Sequence, residues 1–361
     1  MAFADIYDQN VPVRLLRNIM RRGRVPNGLL FWGPGGVGKR LTATEFVKAL
    51  NCAEYADDAC GGCLPCRKVM SGNHPDVRIT EPVKRSRIIN VDAIEAVNEF
   101  AALRPFEGKW RVFILHDADR MGLPAQNHFL KTLEEPPGNS LFILLTEQPR
   151  QLLPTIRSRC QQVRFGALRP ETVARLLGEQ RELGAEKAGA IAALSQGQMS
   201  RALALVDSER REIVLDMVGQ LQDGADPLAL SGVFAAHLAA HKSALETQIK
   251  AAAGEHDAKE MSREDREANK LNQASQLEAQ MRRDLLEYLY LLETWYRDAL
   301  VYRATGDLAR VLNRDQADRL AKAPEADYHG KLGAIEKARI YLDRFLKEDR
   351  VFRDLFFTLA A

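Results

Sequence analysis

The sequence predicts an α/β fold: a parallel P-loop sheet with helices on both faces, followed by an all-helical remainder. Three observations predict it. Short apolar runs at 28–33 (GLLFWG), 110–119 (WRVFILHDAD) and 140–148 (SLFILLTEQ) are bounded by Gly, Pro or acidic residues and read as buried strands. Helical patterns lie between them, as at 91–104 (VDAIEAVNEFAALR) and 124–135 (PAQNHFLKTLEE), which supply the crossovers that parallel strands need. After Phe165 and Gly166 the texture changes to amphipathic helices broken at Gly184 and Gly197, with no strand candidate.

The chain therefore divides into a nucleotide-binding-like domain at 1–166, a small helical domain at 167–208 and a helical domain at 209–361. Its 361 residues are too many for one ordinary domain. Within the last part, 282–305 is the most apolar stretch, whereas about 246–284 is polar, lacks proline and mixes charges of both signs. That segment reads as a solvated helical extension or insertion. Hydrophobic residues are 46% and charged residues 28%, and no apolar run is long enough for a membrane span. The opening residues lack a basic and apolar leader pattern, so the expectation is a cytoplasmic protein. A net charge of +2 predicts no nucleic-acid partner by itself. Arg14, Arg17, Arg21, Arg22 and Arg24, with Lys84, Arg85 and Arg87, leave two readings open: solvated faces, or sequence-independent phosphate contacts.

After the first strand comes Gly33-Pro-Gly35-Gly36-Val37-Gly38-Lys39, which opens a helix. In that context glycines turn backbone N–H groups toward phosphate oxygens, the helix N-terminus adds a favourable partial charge, and Lys39 reaches the terminal phosphates. ATP or ADP is the ligand this pattern predicts. Position 40 normally carries the hydroxyl that ligates Mg²⁺, and Arg40 cannot do so. Thr42, about 200° further around the helix, is a poor substitute. At the end of the next central strand Asp117 is the candidate metal carboxylate, and Ala118 stands where a water-polarising glutamate would follow. Loss of such a base forfeits about 10²–10⁴ in rate. Phosphate binding with weakened Mg²⁺ coordination and inefficient hydrolysis is the expectation.

Cys52, Cys60, Cys63 and Cys66 follow the phosphate-loop helix with the spacing C-x7-C-x2-C-x2-C. Four thiolates complete a tetrahedral Zn²⁺ site without an open position, which predicts a structural metal within an insertion at 52–66. His74 nearby is read as a loop residue and Cys160 as packing.

The residues NGLLFWGPGGVGK, the four-cysteine insertion, VFILHDADRM, FLKTLEEPPGNSLFILLT and LLPTIRSRCQ cover 24–166 almost continuously. Together they resemble the bacterial clamp-loader ATPases of the AAA+ class, related to replication factor C; 291–300 (LLETWYRDAL) is similar to their collar region. The resemblance implies an AAA+ module, a lid and an oligomerising collar. It implies that Arg159 acts in trans, as an arginine finger toward a neighbour's nucleotide, and that Thr146 is a polar sensor. A second sensor arginine is implied where this chain has Ser200, with Arg201 one residue later. Three departures from the active pattern, at 40, 118 and 200, imply a subunit of the DNA polymerase III assembly that does not drive the cycle itself; an active gamma/tau-like ATPase is the alternative. The implied partners are gamma/tau and delta subunits, with the sliding clamp and primed DNA reached through the assembly.

Overall fold

The structure, a computed structural model, describes residues 2–82, 88–252 and 263–360. Chain contacts divide it into two compact units, 1–173 with 196–201, and 174–195 with 202–361. The small helical segment expected at 167–208 is thus shared between the two.

In the first unit the elements run α1 (Asn10–Arg21), β1 (Gly28–Trp32), α2 (Lys39–Asn51), α3 (Leu64–Met70), β2 (Val77–Thr80), α4 (Val91–Ala102), β3 (Arg111–Leu115), α5 (Leu123–Glu134), β4 (Ser140–Thr146), α6 (Pro154–Arg159) and β5 (Gln161–Arg164). Five strands form one all-parallel sheet in the order β2-β3-β4-β1-β5. Trp32 of β1 pairs with Thr146 of β4, and Leu115 of β3 with Leu144 of β4.

Strand alternation sends successive side chains to opposite faces, and both faces are buried. Leu29, Phe31, Val112, Ile114, Leu141 and Ile143 pack on one side with Leu16, Phe46 and Val47. Leu30, Phe113, Leu115, Phe142 and Leu144 pack on the other with Ile94, Val97, Phe129 and Ile156. The three strands expected from their apolar runs are these central ones. The short edge strands β2 and β5 were not expected.

The remaining helices are α7 (Pro170–Arg181), α8 (Ala185–Leu194), α9 (Met199–Val206), α10 (Arg210–Gln222), α11 (Pro227–Ala252), α12 (Arg263–Thr305), α13 (Ala317–Ala321), α14 (Tyr328–Asp343) and α15 (Glu348–Ala360). In the second unit the long α12 packs against α10, α11 and α14, burying Tyr288, Leu292 and Trp295, while Phe234 of α11 meets Phe352 and Phe356 of α15. The polar stretch 246–284 finishes α11 and starts α12, and 253–262 within it lies outside the described residues. Among the described residues no helix is long and apolar enough to cross a membrane.

Candidate nucleotide and metal sites

In an open parallel sheet the carboxyl ends of the strands are the usual place for a ligand. Gly33 follows β1, Glu81 follows β2, His116 and Asp117 follow β3, and Thr146 ends β4, so all four carboxyl ends contribute to one edge.

The Gly33–Lys39 loop has the shape its glycines permit. Gly36 has φ +64°, and a Cβ there would collide with Ser200; one on Gly33, at φ +149°, would collide with the Phe165 carbonyl. Met199 N–H donates to the Gly36 carbonyl at 3.0 Å, so the start of α9 sits on the loop within the first unit. From below, buried Gln9 donates from Nε2 to the Gly166 carbonyl at 2.9 Å and to that of Val37 at 3.4 Å. Nothing in the sequence motif pointed to Gln9.

Lys39 folds back over the loop and donates to the carbonyls of Gly33 at 2.7 Å and Pro34 at 2.5 Å. Burial lowers its pKa, against the opposing charges of Glu147, Asp117 and Asp119. Glu147, another residue sequence reasoning missed, lies with its carboxylate against Gly35. Thr42 is buried and donates its hydroxyl to the Gly38 carbonyl at 2.9 Å, the back-bond to the preceding turn of its own helix.

Arg40 is exposed and pairs with Glu81, Nη1 to Oε1 at 3.1 Å. Asp117 adopts a left-handed conformation, φ 46°, and leads a 3-10 turn over Ala118–Arg120; Ala118 is fully buried. Asp119, one residue out of register for a base, accepts the hydroxyl proton of Thr146. The candidate sensor and the displaced carboxylate therefore engage each other. His116 follows β3 directly, with its Nε2 buried and without a hydrogen-bond partner. Burial and the charge of Arg40 lower its pKa.

The four cysteines come together at the end of α2 and the start of α3, their sulfurs all within 4.8 Å of one another. A tetrahedron with about 2.3 Å metal–sulfur bonds has edges of about 3.8 Å, so the cluster could hold a metal ion with small adjustment. Backbone N–H groups already face the sulfurs: Tyr55 N donates to Cys52 Sγ at 3.4 Å and Cys63 N to Cys60 Sγ at 3.2 Å. Burial opposes ionisation of Cys63, but N–H groups of Ala53 and Cys66 and the neighbouring thiols outweigh it and bring the pKa to about 6; burial pushes Cys66 up to about 12. His74 is a buried loop residue whose Nδ1 accepts from Asp76 N, and it stands outside the cluster. Cys160 is buried against Gly28, and burial pushes its pKa to about 12.

Arg159 ends α6 and points outward, held by Glu134 at 2.6 Å and the Thr155 carbonyl at 3.3 Å. Of the α1 arginines, Arg17 and Arg21 bind Asp58 and Asp57 of the cysteine insertion. Arg14, Arg22 and Arg24 line a groove of about 750 Å³. Lys84, Arg85 and Arg87 lie outside the described residues.

Residues 8–169, which hold the phosphate loop, the cysteine cluster and Arg159, match the family model described as DNA polymerase III, delta subunit. A 168-residue stretch is 36% identical to the DNA polymerase III subunit delta' of Bacillus subtilis, covering 46% of this chain and 50% of the relative. The subunit tau of the same organism is 28% identical over 326 residues, covering 88% of this chain and 53% of the relative. The chain thus spans about half the length of the curated relatives it matches. A DNA polymerase III gamma subunit-related protein of Thermotoga maritima aligns over 98% of this chain and 99% of its own, at 17% identity and a TM-score of 0.42.

Proposed function

We propose that this chain is a delta'-type subunit of the DNA polymerase III clamp loader, a stator of the AAA+ class that donates Arg159 to a neighbouring ATPase and helps load the sliding clamp on primed DNA. The observation that carries the reading is a mismatch within one site. Gly33 to Lys39 retain the backbone cradle and the lysine for phosphate, while the metal and water positions hold Arg40 and buried Ala118. Gly33, Gly35, Gly36, Val37, Gly38 and Lys39 would hold the phosphates of ATP or ADP, with Arg40, Asp117 and Thr146 around them. The 36% identity to a delta' subunit across this region supports the same assignment.

In this reading the gamma/tau and delta subunits are the partners, and DNA is reached through the assembly. The segments 1–166, 167–208 and 209–361 act as module, lid and collar. Cys52, Cys60, Cys63 and Cys66 hold Zn²⁺, a choice favoured by an all-sulfur set of four, and the ion staples the insertion without taking part in chemistry.

Tau-like ATPase activity is the rival, favoured by the longer alignment to a tau subunit. Turnover by the purified chain alone separates the two. The stator reading expects no ATP turnover that Lys39→Ala removes; turnover at the level of an active loader ATPase, lost in Lys39→Ala, would establish the rival.

A further inference from the structure

Arg40 takes on a second meaning from its surroundings. A loop-bound Mg²⁺ needs the hydroxyl after the loop lysine and a carboxylate beyond the central strand. Here the hydroxyl is absent, the Thr42 hydroxyl is turned to Gly38, Asp119 is engaged by Thr146, Asp117 remains as the strand-end carboxylate in the field of Lys39, and a guanidinium with fixed positive charge occupies the first turn of α2. That donor set lacks the hydroxyl and leaves one carboxylate for an oxygen-ligated ion, and a resident cation beside it repels a second one.

The same guanidinium is well placed to do part of the ion's work. Arg40 belongs to the helix whose N-terminus faces the phosphate cradle, and it reaches Glu81 at the carboxyl end of β2. It is also the cation beside His116 at the end of β3. Both side chains of the Arg40–Glu81 pair are more than half exposed, 63% and 53%, so a ligand can exchange the partner at small cost. Phosphate oxygens match a guanidinium fork better than they match an ammonium.

We propose that Arg40 is the built-in counter-cation of a metal-independent nucleoside polyphosphate site, released from Glu81 when the phosphates bind. The proposal rests on the reading of Gly33–Lys39 as a nucleotide cradle. It gives the cradle a purpose compatible with no turnover: an arginine neutralises phosphate charge but orients no water and no metal-bound oxygens.

The test is calorimetric titration of the full chain with ADP and with ATP, in excess MgCl₂ and separately in excess EDTA. The Kd is expected to agree within about twofold between the two buffers. Arg40→Thr, which restores a hydroxyl, is expected to lose about tenfold or more in EDTA, in line with a charged hydrogen bond, and to recover with Mg²⁺. Glu81→Gln, which frees Arg40, should bind a few-fold tighter in both buffers. A tenfold requirement for Mg²⁺ in the unaltered chain, or unchanged EDTA binding in Arg40→Thr, would overturn the role of Arg40 while leaving the cradle standing. Absence of binding in both buffers, with the circular dichroism of a folded chain, would remove the cradle reading and this proposal with it.

Discussion

Asp76 shows how one residue can fix a loop. Its fully buried carboxylate accepts N–H groups from Phe106 at 2.6 Å, Glu107 at 2.9 Å and Gly108 at 2.7 Å, and Arg111 Nη2 at 3.1 Å. Burial opposes the charge, but these four donors outweigh it and hold the pKa below the ordinary value. Because the folded pKa is depressed, the stabilisation is present above the unfolded value, about 3.9, and is lost as pH falls through the folded one. Asp76→Asn should cost about 3–5 kcal/mol in urea unfolding, since it leaves buried Arg111 without its counter-charge. Its melting temperature should also fall less than the parent's between pH 5 and pH 3. An equal fall in both proteins would show that the acid sensitivity lies elsewhere. At this scale the sequence reveals residues whose meaning is local, such as the cysteines and Lys39. His116, Glu81, Glu147 and Gln9 acquire their roles only from strands and loops distant in the chain.

Among elements, legibility follows burial. β1, β3 and β4 are apolar on both faces and stand out as continuous runs; β2 and β5 are partly exposed edge strands of four residues, VRIT and QQVR, whose polar positions hide them. The cysteine insertion was legible from spacing alone, but its seating was not. Arg17–Asp58 and Arg21–Asp57 hold it to α1, and Phe3 N donates to Asp58 at 3.2 Å. The arginines that looked like one basic face are thus two groups, one structural and one lining a groove. If the four sulfurs hold Zn²⁺, its removal should loosen this segment rather than the sheet. Chelator treatment, or Cys63→Ser, is expected to release stoichiometric zinc, open 52–66 to proteolysis and lower the melting temperature by roughly 5–10 °C, equivalent to a few kcal/mol. Natively purified chain without zinc would remove the assignment.

At the level of the whole molecule the two ends of the sheet separate two arginines. Gly33 leaves the carboxyl end of β1, whereas a Cβ on Gly28, at its amino end, would lie 3.4 Å from the Arg159 carbonyl. Five residues of strand at about 3.3 Å each set these points about 16 Å apart. Arg159 therefore stands at the opposite edge of the sheet from its own cradle, a position compatible with the proposed role toward a neighbouring chain. Cys160, buried against Gly28, anchors the end of α6 there, and the ion pair with Glu134 keeps the guanidinium at the surface. In the proposed role, Arg159→Ala should leave nucleotide affinity of this chain unchanged within about twofold. Turnover at the adjacent ATPase site of the reconstituted assembly should fall by about 10³-fold, the lower end of what a trans arginine contributes elsewhere. Arg159→Lys should not restore it, because an ammonium lacks the planar fork. A variant that still assembles, confirmed by its sedimentation, yet retains full ATPase activity would show that the exposed arginine serves only its salt bridge with Glu134.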